Sequence, residues 1–259
     1  MTFAPLLATP ATAVIITGGA SGIGLASAQA LAAVGRSVAL WDIDEARASK
    51  AAERIAADYG VPVLAVGIDL RDPGSIQPAV ARTRAAFPAI GGLVHAAGTV
   101  DTGSLEGVTP ETWDAGMAVH LRALALLVQA LLPDFAANPG SAVVAVASIN
   151  ATLGNAMNPI YTAAKGGMLS LVRSLADRLA NDGVRINAVS PGQILTPMMQ
   201  PALNALPPGW FERRILLERL GQPAEVARVV RFLLSDEASY MTASEVVVDG
   251  GNISSQRAS

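Results

Sequence analysis

The chain contains no cysteine, two histidines and two lysines, and each shortage closes off a class of chemistry. Without thiols there are neither disulfides nor thiolate-bound metals, and His95 and His120 alone leave little for an imidazole-ligated ion, so no metal is expected. Charged residues are 15% of 259 and the net charge is −3, which supplies no basic field for a phosphate backbone or an anionic lipid surface. Neither nucleic acid nor a membrane is an expected partner. A long charge-free stretch, Phe135 to Ala164, is broken by Asn138, Pro139, Asn150, Asn155, Asn158 and Pro159 and does not read as a membrane span. Met1 to Ala13 lacks the basic start and compact apolar centre of a secretory signal, so a flexible N-terminus over residues 1–11 and a cytoplasmic location are expected.

What the chain has in quantity is apolar surface. Hydrophobic residues reach 51% and mean hydropathy is +0.42, enough for a large core and for subunit contacts, so an oligomer is expected. Seven short β-rich runs are legible: Ala13 to Thr17, Ser37 to Trp41, Val61 to Ile68, Gly92 to Ala96, Ser141 to Ala147, Val184 to Val189 and Glu245 to Val248. Helical periodicity fills the gaps, at Gly22 to Val34, Glu45 to Tyr59, Gly74 to Ala86, Thr109 to Phe135, Pro159 to Asn181 and Ala224 to Leu234. Such alternation predicts right-handed βαβ units and a doubly wound parallel α/β sheet in a single domain, 1–259. Residues 191–215 depart from it: Pro191, Pro197, Pro201, Pro207 and Pro208 mark a loop suited to covering a substrate.

The first strand runs into Thr17-Gly18-Gly19-Ala20-Ser21-Gly22-Ile23-Gly24 and then a helical pattern. Glycines at a strand-to-helix turn let backbone approach a pyrophosphate, with N–H groups and the helix dipole facing the anion. Asp42 closes the second strand, where a carboxylate can accept from ribose hydroxyls. A 2′-phosphate there would meet like charge with no Arg or Lys between Gly18 and Gly24 to offset it, which favours NAD over NADP. The alternative is that Asp42 caps the next helix. Asp69, followed by Leu70, is equally placed for an adenine edge or for a cap.

Ser148 ends the fifth strand; Tyr161 and Lys165 follow, the last two on one helical face. A phenol is a poor acid or base near neutrality unless a neighbouring ammonium stabilises its anion. In a chain that prefers arginine so strongly, a lysine at that position departs from habit.

Taken together, Thr17 to Gly24, Asp69, His95-Ala96-Ala97-Gly98, Ser148, Tyr161-Thr162-Ala163-Ala164-Lys165, Asn187, Pro191-Gly192 and Val248-Asp249-Gly250-Gly251 resemble the classical short-chain dehydrogenase/reductase (SDR) family over nearly the whole chain. The resemblance implies a Rossmann-like seven-stranded sheet flanked by helices, a homotetramer, and reversible hydride transfer between a nicotinamide cofactor and an alcohol or carbonyl. By position, it implies that Ser148 bonds the substrate oxygen, Tyr161 exchanges its proton, and Lys165 holds the nicotinamide ribose. Ala96, Ala97 and Gly98, together with Asn187, Pro191, Gly192, Ile194 and Thr196, would shape the nicotinamide side. Turn formation and capping are the alternatives for Asn187 and Thr196.

Two departures matter. Ala96-Ala97-Gly98 stands where the family has Asn-Ala-Gly, and His120 stands where it has an Asn that positions a water beside the lysine. His120 is either a satisfied core histidine or a member of the proton path, since a neutral imidazole both donates and accepts. His95 reads as structural. Asn150, Leu153, Asn155, Met157, Asn158, Met198 and Met199 are candidates for the substrate side, although asparagines also build loops. The expected activity is an NAD-dependent dehydrogenase of a secondary alcohol or polyol. Alternatives are a 3-oxoacyl-carrier-protein ketoreductase and a catalytically silent dinucleotide-binding or redox-sensing protein.

Overall fold

The computed structural model describes residues 5–254. In chain order it contains β1 (Ala13–Thr17), α1 (Gly22–Ala32), β2 (Val38–Asp42), α2 (Glu45–Tyr59), β3 (Val63–Gly67), α3 (Ile76–Ala86), β4 (Ile90–His95) and α4 (Pro110–Met117). A π-helical turn, Ala118–Arg122, joins α4 to α5 (Ala123–Ala137). Then come β5 (Ala142–Val146), α6 (Asn150–Leu153), α7 (Pro159–Ala180), β6 (Arg185–Pro191), α8 (Gln200–Ala205), α9 (Pro223–Leu233) and β7 (Glu245–Val248).

Side chains along a strand alternate between two faces, and here both faces are covered. Ala13 and Ile15 of β1, with Val143 and Ala145 of β5, pack under α3, α5 and α7. Val14 and Ile16, with Ala142 and Val144, pack under α1, α2 and α9. That is why the strands read as continuous apolar runs rather than as an alternation. Ile15 and Ile16 are fully buried, each contributing about 1.5–3 kcal/mol relative to exposure. The helix over residues 110–137, apolar and long enough to cross a bilayer, has half of its most apolar window buried inside the protein.

All strand pairs are parallel, in the order β3-β2-β1-β4-β5-β6-β7. The order reverses between β1 and β4, so the crevice for a ligand opens beyond their carboxyl ends. Local signals fix the surrounding helices. Asp44 accepts from Arg47 N–H at the start of α2, and Gly60 ends that helix at φ 67°. Gln222 and Glu225 form a reciprocal cap on α9.

Two expectations change in detail. Residues 1–4 of the expected flexible N-terminus lie outside the described residues. Beyond them, Leu6 N–H donates to Glu237 and Thr9 C=O accepts from Asp236, so that part is pinned to the body. In the 191–215 segment, Pro191 belongs to β6 and Gln200–Ala205 is helical, so it is less a loop than its prolines suggest.

Candidate active site

A cavity of about 620 Å³ runs along the carboxyl ends of the strands, across the β1/β4 reversal. At one end stands the start of α1. Its first N–H groups, at Gly22, Ile23 and Gly24, have no intrahelical partners, and no acidic residue occupies the first turn. The positive end of the helix therefore faces the cavity uncompensated. A Cβ on Gly24 would sit 2.1 Å from the Gly18 carbonyl oxygen, so the loop closes this tightly only with glycine there. Gly18, Ser21, Gly22, Ile23 and Gly24 all line the cavity, as do Ala96, Ala97, Gly98, Pro191, Gly192, Ile194 and Thr196.

Asp42 also lines it, and its carboxylate accepts from Ala20 N–H at 2.9 Å and Asp44 N–H at 3.1 Å. The cap of α2 is Asp44, not Asp42. Asp42 thus braces the glycine loop from the cavity wall. Asp69 and Leu70 line the same end, with the Asp69 carboxylate gripped by the Arg71 guanidinium at 2.6 Å. That hydrogen bond holds the Asp69 carboxyl below its ordinary pKa. The cap of the following 3₁₀ turn is Asp72, so neither carboxylate caps as the sequence allowed.

Ser148, Tyr161 and Lys165 meet at the other end. Ser148 follows β5, and its hydroxyl accepts from Asn150 N–H at 3.2 Å. Tyr161 lies in the first turn of α7. Lys165, one turn on, places Nζ 5.5 Å from the Tyr161 ring centroid and donates to the Val146 carbonyl at 2.5 Å. Burial lowers the Lys165 pKa to about 7. Burial also raises the Tyr161 phenol above its ordinary value, opposed by the Ser148 hydroxyl. In the protein alone, desolvation thus outweighs the Ser148 hydroxyl, and the phenol is not lowered as a neighbouring ammonium alone would lower it.

The two histidines form a second tier. Thr17 Oγ1 accepts from Ala96 N–H and Ala97 N–H, each at 3.2 Å, which leaves its own proton for His95 Nδ1 at 3.0 Å. The His95 ring proton therefore sits on Nε2 and is donated to the His120 carbonyl at 3.0 Å, inside the π-helical turn. Burial lowers the His95 pKa to about 4, so this imidazole is neutral, and its role is structural.

The His120 ring lies against Gly98, where a Cβ would come within 2.2 Å of Cε1. Its Nε2 is 2.8 Å from the Thr99 carbonyl, which puts the ring proton there. Nδ1 is then a buried acceptor with no partner among the described residues. Burial first, and the Lys165 charge second, push the His120 pKa well below the ordinary value. His120 lines the cavity but makes no direct hydrogen bond to Lys165.

Of the candidate substrate residues, Asn150, Asn155, Asn158, Met198 and Met199 line the cavity. Asn155 Oδ1 accepts from Met157 N–H, a loop-building bond. The Asn158 amide donates to the Asp101 carbonyl. Met157 and Leu153 are each 56% exposed and stand outside the cavity wall, Leu153 at the end of α6 and Met157 in the turn before α7. Asn187 is also outside it: fully buried, it clamps the chain before β7 through Met241 O and Ser244 N–H. Residues 193–202 reach the cavity, while the later part of the expected lid does not.

Sequence reasoning missed Asp101. Its carboxylate accepts from Tyr161 N–H at 2.8 Å and Ile160 N–H at 3.2 Å, capping the helix that carries the tyrosine.

Residues 18–252 match the family model described as "Enoyl-(Acyl carrier protein) reductase". The chain is 34% identical over 247 residues to the short-chain dehydrogenase/reductase aba4 of Botryotinia fuckeliana, covering 92% of this chain and 95% of that one. It is 38% identical over 244 residues to the L-rhamnose 1-dehydrogenase (NAD(P)(+)) of Azotobacter vinelandii, covering 92% and 95%. Among solved structures, the L-sorbose reductase of Gluconobacter frateurii, complexed with NADPH and L-sorbose, superposes with a TM-score of 0.91 at 28% identity, over 97% of this chain and all of that one.

Proposed function

The chain belongs to the short-chain dehydrogenase/reductase family, and on that premise we propose that it is an NAD-dependent oxidoreductase interconverting a secondary alcohol or polyol hydroxyl and the corresponding ketone. The observation that carries this reading is the convergence of Ser148, Tyr161 and Lys165 on one cavity whose far end is the bare N-terminus of α1.

The family binds a nicotinamide dinucleotide, and the residues present fit one. The unpaired N–H groups of Gly22, Ile23 and Gly24 would hold the pyrophosphate, and Asp42 the adenosine ribose. When bound, the dinucleotide accepts or supplies the hydride. The remaining work falls to side chains. Ser148 donates to the substrate oxygen, and Tyr161 takes or returns the proton of that oxygen. Lys165 would hold the nicotinamide ribose and, when charged, favours phenolate. His120, edge-on to Tyr161, is part of the path by which that proton leaves.

Two points support the finer choices. Asp42 faces the position that a 2′-phosphate would need, which favours NAD, although the sorbose reductase above was solved with NADPH. Charged residues of the cavity wall are Asp42, Asp69 and Arg71 at the adenosine end and Lys165 at the centre; the substrate end has amides, hydroxyls and thioethers. Such a wall suits a neutral, hydroxylated substrate better than an anionic carrier-bound acyl group. Relatives named for rhamnose and sorbose agree with that choice. A cytoplasmic homotetramer completes the reading on family grounds.

The test is reduced-nicotinamide absorbance with NAD or NADP across a panel of secondary alcohols, polyols and sugars. Turnover of neutral polyols with NAD is expected. Binding of NAD without turnover of any panel member would favour the silent dinucleotide-binding alternative.

A further inference from the structure

The first turn of α7 has an unusual hydrogen-bond account. A helix start leaves its first backbone N–H groups unpaired. Pro159 at the first position has none, and Thr162 N–H is taken by Asn158 C=O at 2.9 Å. Two donors remain, Ile160 N–H and Tyr161 N–H. The N-cap residue itself, Asn158, makes no side-chain cap. Both remaining donors go instead to the two oxygens of one carboxylate, Asp101, brought in from the loop after β4.

The exchange is reciprocal. Asn158, where the side-chain cap should be, sends its amide to the Asp101 carbonyl. Ser104, three residues on, donates its hydroxyl to Ala156 C=O at 2.9 Å and its N–H to Met157 C=O at 3.4 Å. The loop after β4 is therefore stitched to the approach of the catalytic helix at several points. The same loop touches the reaction space: Thr99, Val100 and Thr102 line the cavity, and the Thr99 carbonyl accepts from His120 Nε2 at 2.8 Å.

We propose that Asp101 is the positioning residue of Tyr161: its carboxylate fixes the backbone of the tyrosine and, through residues 99–102, ties that position to the wall that meets the substrate. Asp101 is not itself a member of the cavity wall, so it acts through Tyr161 rather than on the substrate. A carboxylate suits this place for two reasons. It offers two oxygens to two donors, which a single amide oxygen cannot match, and its charge complements the helix dipole.

The proposal rests on Tyr161 as the proton-exchanging group, so its test reads both turnover and the tyrosine directly. The chain has three tyrosines, so a label on the phenol carbon gives an NMR spectrum in which Tyr161→Phe identifies the Tyr161 signal. Wild type, Asp101→Asn and Asp101→Ala are compared for kcat, for the KM of NAD, and for the pH titration of that signal in the NAD complex. Asp101→Ala is expected to lower kcat by about tenfold or more with the KM of NAD unchanged, and Asp101→Asn to fall between, since its amide keeps one acceptor. The Tyr161 titration is expected to move down in both, through loss of a nearby negative charge and a looser first turn. Wild-type kcat with an unmoved titration in both variants would overturn the proposal. If Asp101→Ala does not fold, Asp101→Asn alone decides by the same two readouts. If the wild type turns over nothing in the panel, the functional reading fails, while the titration still decides whether Asp101 sets Tyr161.

Discussion

The ring of His120 stands edge-on to the ring of Tyr161, with centroids 5.5 Å apart and planes crossed at 81°. The arrangement puts a neutral imidazole, with one bare nitrogen, beside the phenol to which we assign the proton exchange. His120→Ala is expected to lower kcat by about tenfold, about 1.4 kcal/mol of barrier, and to change the pH profile of turnover, with NADH binding retained. His120→Asn, which restores the family's usual residue type, is expected to recover most of the loss. Unchanged turnover and an unchanged pH profile in His120→Ala would remove it from the proton path.

On the proposed reading, Asp42 carries the choice of cofactor. Wild-type protein is expected to prefer NAD over NADP in kcat/KM, and Asp42→Ala to narrow that preference by roughly tenfold, one charge repulsion's worth. The variant should also bind NAD more weakly, because Ala20 N–H loses its acceptor and the glycine loop its brace. A wild-type preference for NADP would contradict the assignment.

Acid stability follows from the buried imidazoles. The folded pKa of His95, about 4, lies below its ordinary value of 6.5, so the unfolded chain takes up a proton first as pH falls. The stabilisation is complete above pH 6.5 and is lost as pH drops towards 4, a loss of roughly 3 kcal/mol from this residue. His120 shifts in the same direction and adds to it. Urea midpoints measured from pH 7 to pH 4 are expected to fall, and to fall less steeply in His95→Asn. Equal slopes for the two proteins would contradict the buried, neutral assignment.

Legibility in the sequence follows from how local each signal is. The β1 strand and its glycine loop announce themselves within about a dozen residues, because two-sided burial and close backbone approach each impose a residue type on the spot. Ser148, Tyr161 and Lys165 are legible through spacing along one strand end and one helix. Asp101 is not, since its partner Tyr161 lies 60 residues away and an aspartate in a loop carries no mark of what it will cap. The π-helical turn at Ala118–Arg122 is equally hidden: the apolar pattern of 109–135 reads as one helix, and the turn is coupled to His95, which takes the His120 carbonyl from another strand. Asn187 was legible as important but not as to place, because a buried amide satisfied by two backbone groups looks the same in sequence as one facing a ligand.

The central claim is that Tyr161 handles the proton of the substrate hydroxyl. The most direct measurement compares wild type and Tyr161→Phe in NAD reduction by the best alcohol of the panel, with NADH binding followed by fluorescence in both. A fall in kcat of roughly 10²–10⁴-fold with NADH binding unchanged is expected. Turnover within about threefold of wild type would contradict the account.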